Sequence, residues 1–596
     1  MPYIAPIDAI MDALVSAARI DDLIESGAIG VDRDTIRAIL EEAGKFGAEV
    51  LDPLNWPGDR AGAKLNGTTV ETPKGWREAY QGFIQGGWNA LPGPEQYGGQ
   101  GLPSVVASAV AEIWNASNLS FGLCPLLTQG AIHALTATGS DALKAKYLPK
   151  MVSGEWSGTM NLTEPHAGSD LSALRTKAVP QGDGTYKITG TKIYITYGEH
   201  ELTENIIHLV LARLPDAPPG TKGISLFLVP KYLVGDDGKI GARNDVVCAG
   251  LEHKLGIHAS PTCVMKYGEK GGATGYLVGE ENRGLAAMFI MMNEARLGVG
   301  VQGVAIADRA TQRAIDYARE RKQGRTHWDP SGDMAPIIVH PDVRRNLMLM
   351  QSMTRASRAI CLATAAAFDE AHGSKDAARK KSAANRAALL TPIAKAFSTD
   401  IGVEVASIGV QVHGGMGFVE ETGAAQHLRD ARILPIYEGT NGIQAIDLAV
   451  RKLPLDGGGT VRALLAEMKA TADDVTKRNA PAFGKLGDKL GEAVAALTRA
   501  TEWMGRNLAK GGHAEMDAVL ASATPYLRLF GITTGAHFLA RGAIAGLRTG
   551  QEADDESIAL ARFFAKNVAV EAVALEKIVI EGSESLLNVT AEKMSA

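Results

Sequence analysis

The period of the apolar residues changes twice along this 596-residue chain, and that change limits the fold more than any single motif does. From residue 1 to about 155 apolar residues recur at helical spacing, as in Ile36, Ile39, Leu40 and Ala43, with short Gly and Pro breaks. The longest break, Leu91 to Pro103, is too rich in Pro and Gly for helix or strand and predicts a loop. Between about 157 and 280 the pattern shortens. Tyr186–Thr189, Lys192–Thr196, His208–Leu211 and Gly223–Val229 are rich in β-branched and aromatic residues and bounded by turn residues, which predicts strands. From 283 to about 450 long helical patterns return, as in Ala305 to Arg321 and Val343 to Ala371, and a four-helix bundle is the natural way to bury them. Pro454-Leu-Asp-Gly-Gly-Gly459 reads as a linker, after which Val461, Leu464, Leu465 and Met468 restart a helical pattern. The order α, β, α, α, with no βαβ alternation, predicts an α+β multidomain chain with units at 1–156, 157–282, 283–453 and 460–596.

Composition narrows the function classes. A net charge of −6 without a dense Lys/Arg run leaves no electrostatic footprint for nucleic acid or an anionic membrane. No apolar run is long enough to span a bilayer, and Asp8 and Asp12 stand where a signal peptide would be apolar. Cys124, Cys248, Cys263 and Cys361 form no CxxC pair, so neither a disulfide framework nor a thiolate metal site is expected, and a cytoplasmic location fits. Gly298-Val-Gly-Val-Gln-Gly303 matches the dinucleotide fingerprint GxGxxG but lacks its preceding strand, so these glycines are read as a close approach of two helices.

Four stretches carry chemistry. Met160 to Asp170 brings a hydroxyl at Thr163, a strand-stopping Pro165 and a small-residue loop that a ligand can approach closely. In Gly190 to Thr196 strand alternation puts Tyr194 and Thr196 on one face, an aromatic plate beside a hydroxyl, which suits a planar heterocycle. Gln411 to Phe418 breaks a helical region with three glycines. In Arg429 to Gln444 a carboxylate, Glu438, stands among apolar neighbours on a loop after Pro435, where burial raises its pKa toward that of a general base. Each alone is also an ordinary turn, core or loop residue.

Together and in this order, LTEPHAGSD, GTKIYIT, QVHGGMGF and RDARILPIYEGTNGIQ resemble the signatures of the acyl-CoA dehydrogenase family, with further likeness at 94–101, 254–263, 293–296 and 318–325. The resemblance runs from about residue 80 to 450. The leader and the extension after 460 resemble the long subgroup, which includes 3-methylmercaptopropionyl-CoA dehydrogenases and long bacterial fatty acyl-CoA dehydrogenases.

The resemblance implies a helical N-terminal domain, a middle β-domain and a four-helix bundle, here with an extra C-terminal helical domain. It implies FAD as cofactor. Leu162 and Thr163 would meet the pyrimidine end of the flavin, and Tyr194, Ile195 and Thr196 its ring. Arg321, Gln411, Gly414 and Gly415 would reach a neighbouring subunit's FAD, and Thr440, Asn441 and Gly442 touch FAD again. Ser169, Asn293, Arg296 and Gly439 match substrate positions, and Glu438 matches the base that removes the α-proton while flavin N5 accepts the β-hydride. An acyl-CoA substrate, electron-transfer flavoprotein as acceptor, a homodimer and a place in fatty acid β-oxidation follow by the same resemblance. The competing readings are an acyl-CoA oxidase using O2 and a non-catalytic flavoprotein of the alkylation-response type. The chain departs from common patterns at Ala295, where some members carry the base, at Gly324, where many carry an aromatic, and at His166.

Overall fold

The computed structural model describes residues 2–326, 332–547 and 556–594. The expected units also include Met1, 327–331, 548–555 and 595–596, which lie outside the described residues.

The N-terminal part is built from α1 (Ile7–Ser16), α2 (Ile20–Glu25), α3 (Arg33–Phe46), α4 (Asp52–Ala61), α5 (Trp76–Gln85), α6 (Ser104–Ser117), α7 (Leu119–Thr138) and α8 (Asp141–Ser153). The α3 N-terminus follows from Asp32, whose carboxylate accepts the Thr35 amide, and its buried face is Ile36, Leu40 and Ala43. Between α4 and α5 lies a hairpin of β1 (Lys64–Asn66) and β2 (Thr69–Glu71), turned by Gly67 at φ +66°. Helical periodicity did not announce it, because three-residue strands are too short to show alternation.

The middle part holds β3 (Trp156–Asn161), β4 (Lys177–Pro180), β5 (Tyr186–Thr196), β6 (Asn205–Ala212), β7 (Ser225–Pro230), β8 (Tyr232–Val234), β9 (Ile240–Arg243), β10 (Val246–Leu251), β11 (Thr262–Tyr267) and β12 (Ala273–Val278). The main sheet runs β10-β11-β5-β12-β7-β6-β3, with β4 on β5, and only the β3–β6 pair is parallel. Every residue of β6 and β7 is buried, so both sheet faces are covered. Ile207, Leu209 and Leu211 of β6 join the core made with α7 and α8, while the alternate Val210 and Ala212 join one with Ile188 and Cys263.

The bundle follows with α9 (Gly284–Glu320), α10 (Pro341–Gly373) and α11 (Ala377–His413), closed by short α12 (Ala424–Ala431) and α13 (Asn441–Ile446). The glycines of the GxGxxG match set the α9–α11 distance. A Cβ on Gly300 would sit 2.6 Å from the Ala394 carbonyl oxygen, and one on Gly303 2.3 Å from that of Ser398. By length and composition α9 could cross a membrane, yet more than half of its most apolar stretch is buried, and it packs on α6, α7, α10 and α11. Arg358 of α10 ties the bundle to the N-terminal helices by donating to Glu112 of α6 at 2.6 Å, and within the bundle it donates to Asp308 of α9 at 2.9 Å.

The C-terminal extension comprises α14 (Gly459–Arg478), α15 (Leu486–Lys510), α16 (His513–Leu547), α17 (Glu556–Asn567) and α18 (Glu571–Leu587). Through α16 it lies on α10, α11 and α13. Gly531 allows this, since a Cβ there would meet the Phe397 ring at 2.4 Å.

Candidate active site

Between α12 and α13 the chain turns through Ile436-Tyr-Glu-Gly-Thr440. Glu438 and Gly439 are both left-handed, at φ +59° and +81°. For a glutamate that conformation costs on the order of 1–2 kcal/mol and persists only where the surroundings impose it. They do so from the C-terminal side. The buried Gln444 side-chain amide donates to the carbonyl oxygens of Glu438 and Gly439, each at 3.3 Å, and the Asn441 amide donates to the Pro435 carbonyl at 3.0 Å. Gly439 is required here, because a Cβ would fall 2.8 Å from that Gln444 nitrogen. Thr440 caps α13 by accepting the Ile443 amide. Among the described residues the Glu438 amide N–H has no acceptor.

Burial pushes the Glu438 carboxyl up to about 7, against the opposing pull of Arg296 and Lys395. Arg296, on α9, is buried and stands 3.8 Å from Asp447. Lys395, in the middle of α11, is fully buried and lowered to about 7, chiefly by burial and partly offset by Glu438 and Asp400. Its ammonium donates to Asn441 Oδ1 at 2.8 Å, and the Asn441 amide nitrogen donates to Asp400 at 2.7 Å and to the Ala396 carbonyl at 3.1 Å. Thus α11 pins the residue that follows Glu438-Gly439-Thr440. Neither Lys395 nor Gln444 was among the residues expected at the site.

A second group forms where β3 ends beside β5. The Ile193 amide donates to the Thr163 carbonyl at 2.9 Å, and the Thr159 hydroxyl to the Thr196 carbonyl at 2.8 Å. The expected alternation of Tyr194 and Thr196 on one face does not run through unbroken. Ile193 and Tyr194 together oppose Val264 in a bulge, with Tyr194 at φ +60° and 61% exposed, while Ile195 turns into the sheet core. The fold therefore presents the Tyr194 ring outward by a bulge rather than by the strand period. Beneath it Lys192, 0% exposed, donates to the Leu162 carbonyl and to Glu164 Oε1, both at 2.9 Å. Glu164 also accepts the amides of Arg175 and Thr176, and His166 stands 3.4 Å from it.

A third group is distant. Arg321 ends α9, and Gln411, Gly414 and Gly415 lie at the end of α11, all exposed, next to Phe418 at 87% exposure. Arg296 and Arg321 sit 25 positions apart on one helix, roughly 37 Å at 1.5 Å per residue. Ser169 and Asn293 are exposed, and among the described residues no hydrogen bond or ion pair joins them to Glu438.

A cavity of about 150 Å³ lies between α5, α6, α7 and α9. Ala295, next to Arg296, lines it, together with Asn115 and the paired His133 and Glu294. Asn115 accepts from Gln302 at 3.1 Å, and Gln302 in turn accepts the Tyr437 hydroxyl, so the cavity wall is joined to the residue before Glu438.

Residues 33–155, 159–268 and 282–453 match the families described as acyl-CoA dehydrogenase N-terminal, middle and C-terminal domains, and 464–590 matches "Acetyl-CoA dehydrogenase C-terminal like". The chain belongs to the acyl-CoA dehydrogenase family. Members of this family are FAD-dependent oxidoreductases, and this chain is an enzyme of that kind. It is 50% identical over 594 residues to a 3-methylmercaptopropionyl-CoA dehydrogenase of Ruegeria pomeroyi, covering 98% of this chain and 99% of that one. It is 37% identical over 472 residues to a butyryl-CoA dehydrogenase of Syntrophomonas wolfei, 78% and 77% of the two chains. In fold it is similar to an acyl-CoA dehydrogenase of Bacillus anthracis solved with FAD, at a TM-score of 0.73 and 19% identity over 94% of this chain and 90% of that one.

The site fits a flavin. The side-chain hydroxyls of Thr163 and Thr196 have no hydrogen-bond partner among the described residues, and the Tyr194 ring is exposed beside them. A Cβ on Gly414 or Gly415 would meet nothing within 4 Å, leaving that backbone open to a ligand.

Proposed function

We propose that the chain dehydrogenates an acyl-CoA thioester between Cα and Cβ, giving the trans-2-enoyl-CoA, with Glu438 as the base. The observation that carries this is a carboxylate held in a left-handed turn and pushed up to about 7 by burial, flanked by the buried cations Arg296 and Lys395. A carboxylate with that pKa is ionised in part at neutral pH and is a far stronger base than an exposed one. Its own amide N–H, which has no protein acceptor, donates to the thioester carbonyl as charge develops there. Bound FAD supplies the acceptor for the β-hydrogen and its electron pair.

Leu162, Thr163, Tyr194, Ile195 and Thr196 hold the flavin, and Thr440, Asn441 and Gly442 meet it from the α13 side. Arg296, Gly439, Ser169 and Asn293 orient the acyl-CoA. The span from Arg296 to Arg321 exceeds the reach of one FAD, so Arg321, Gln411, Gly414 and Gly415 serve the FAD of a second copy. That supports a homodimer. Electrons leave to electron-transfer flavoprotein. Four buried, unpaired thiols suit a reducing cytoplasm. The substrate is 3-methylmercaptopropionyl-CoA or a fatty acyl-CoA. Anaerobic titration of the holoenzyme with these thioesters tests the reading: loss of the oxidised flavin absorbance is expected, and no bleaching with any of them would overturn it.

A further inference from the structure

The C-terminal extension reaches the Glu438 turn from behind. Its helix α16 packs on α11, on α13 and on the π-helical turn Asp447–Lys452 that follows α13. No side chain spaces that contact. A Cβ on Gly531 would meet the ring of the buried Phe397 of α11 at 2.4 Å, and one on Gly535, a helical turn later, would meet Ala356 of α10 at 2.9 Å. Helix α16 therefore lies with its backbone in the α10–α11 groove, and a close-packed interior transmits a displacement there rather than absorbing it.

On the other side of that contact stand the groups that set the ionisation of Glu438. Phe397 lies two residues after Lys395 and three before Asp400. Lys395 donates to Asn441 Oδ1 at 2.8 Å and the Asn441 amide donates to Asp400 at 2.7 Å, so Asn441 is held by two residues of α11 that bracket the α16 contact. The second cation, Arg296, stands 3.8 Å from Asp447, on the turn that α16 covers, and Arg451 and Lys452 face the same carboxylate at 2.6 and 3.8 Å. Asp400 is faced in turn by Glu404 of α11 and by Arg528 of α16, which stands 3.4 Å from Glu404 and 3.4 Å from Glu571 of α18.

We infer that α16 is a positioning element of the active site: seated at Gly531 against Phe397, the extension keeps Lys395 and Arg296 in place beside Glu438. This rests on Glu438 being the base. Displacing α11 or the 447–452 turn takes the two cations away from the carboxyl whose ionised form they favour, so its protonation moves to higher pH. A helix that served stability alone would change the thermal midpoint and leave that protonation where it is.

The test is the pH dependence of anaerobic flavin bleaching of the holoenzyme by butyryl-CoA, together with the infrared band of the protonated Glu438 carboxyl in holoenzyme without substrate, identified by its loss in Glu438→Gln. Gly531→Ala, which forces α16 off the Phe397 ring, is expected to move both to higher pH by about half a unit. Phe397→Leu, which slackens the same contact from the α11 side, is expected to shift them in the same direction. The double variant, in which the added methyl takes up space the ring leaves, is expected to return them toward wild type. Gly542→Ala is the control: it adds the same methyl to α16 where the nearest atom is Ser16 Oγ at 3.7 Å, and no shift is expected. If Gly531→Ala does not fold, Phe397→Leu and the double variant carry the test. Folded variants with lowered thermal midpoints and wild-type pH profiles, or a Gly542→Ala shift equal to that of Gly531→Ala, overturn the inference while leaving the proposed function standing. Bleaching of the wild type by no acyl-CoA overturns the proposed function instead.

Discussion

Lys192 Nζ and Glu164 Oε1 stand 2.9 Å apart with side chains 0% and 3% exposed, and this ion pair joins the two segments expected to cradle the flavin. The same ammonium reaches the carbonyl of Leu162, so β5 and the loop after β3 are fastened by one side chain.

Removing one partner of a buried pair leaves the other charge uncompensated, at a cost of about 3–5 kcal/mol. Lys192→Met is therefore expected to lower the thermal midpoint and to lose FAD on dialysis while circular dichroism retains the helical signal. An enzyme with wild-type midpoint and full flavin content would show that the pair positions nothing.

Glu438, pushed up to about 7, is protonated and inert below that pH and ionised above it. The bleaching rate is expected to rise with pH through about 7. Lys395 lowers the Glu438 pKa, so Lys395→Met removes that cation and moves the rising limb to higher pH, by about one pH unit. Because Lys395 itself is lowered to about 7, the wild-type limb belongs to the pair. A limb that stays in place in Lys395→Met would remove Lys395 from the account.

If Arg321 serves the FAD of a second copy, defects at Glu438 and Arg321 complement between chains. Each alone, Glu438→Gln and Arg321→Ala are expected to be inactive or flavin-poor. Co-expressed, they assemble mixed dimers in which one site of two is wild type, so about one quarter of normal activity returns on random pairing. No recovery above the separate variants would place both residues at one FAD.

The extension covers faces of α10, α11 and α13 by way of α16. A face already buried within the chain is not open to another dimer, so light scattering is expected to give a dimer. A stable tetramer would contradict this.

The elements most legible in the sequence were those whose burial is complete or strictly periodic. The runs that became β6 and β7 were visible because both faces are covered, and α3 because one face is. The Tyr194 bulge was not, since the two-residue period carries no mark of an interruption whose cause is pairing with β11. Gln444 and Glu438 are six positions apart within one motif, yet their contact depends on two consecutive left-handed residues that local propensity disfavours. Lys395 had a signal of a kind: it is the lone charge in the apolar stretch Leu389–Phe397, and its partner Asn441 comes from a separate helix.

The central claim is that Glu438 takes the substrate proton, and Glu438→Gln tests it most directly, since the amide keeps the side chain's shape and removes its basicity. Stopped-flow mixing of this FAD-loaded variant with a short acyl-CoA, without oxygen, is expected to show acyl-CoA binding as a spectral perturbation, with bleaching slowed at least a hundredfold. Bleaching at the wild-type rate would contradict the account.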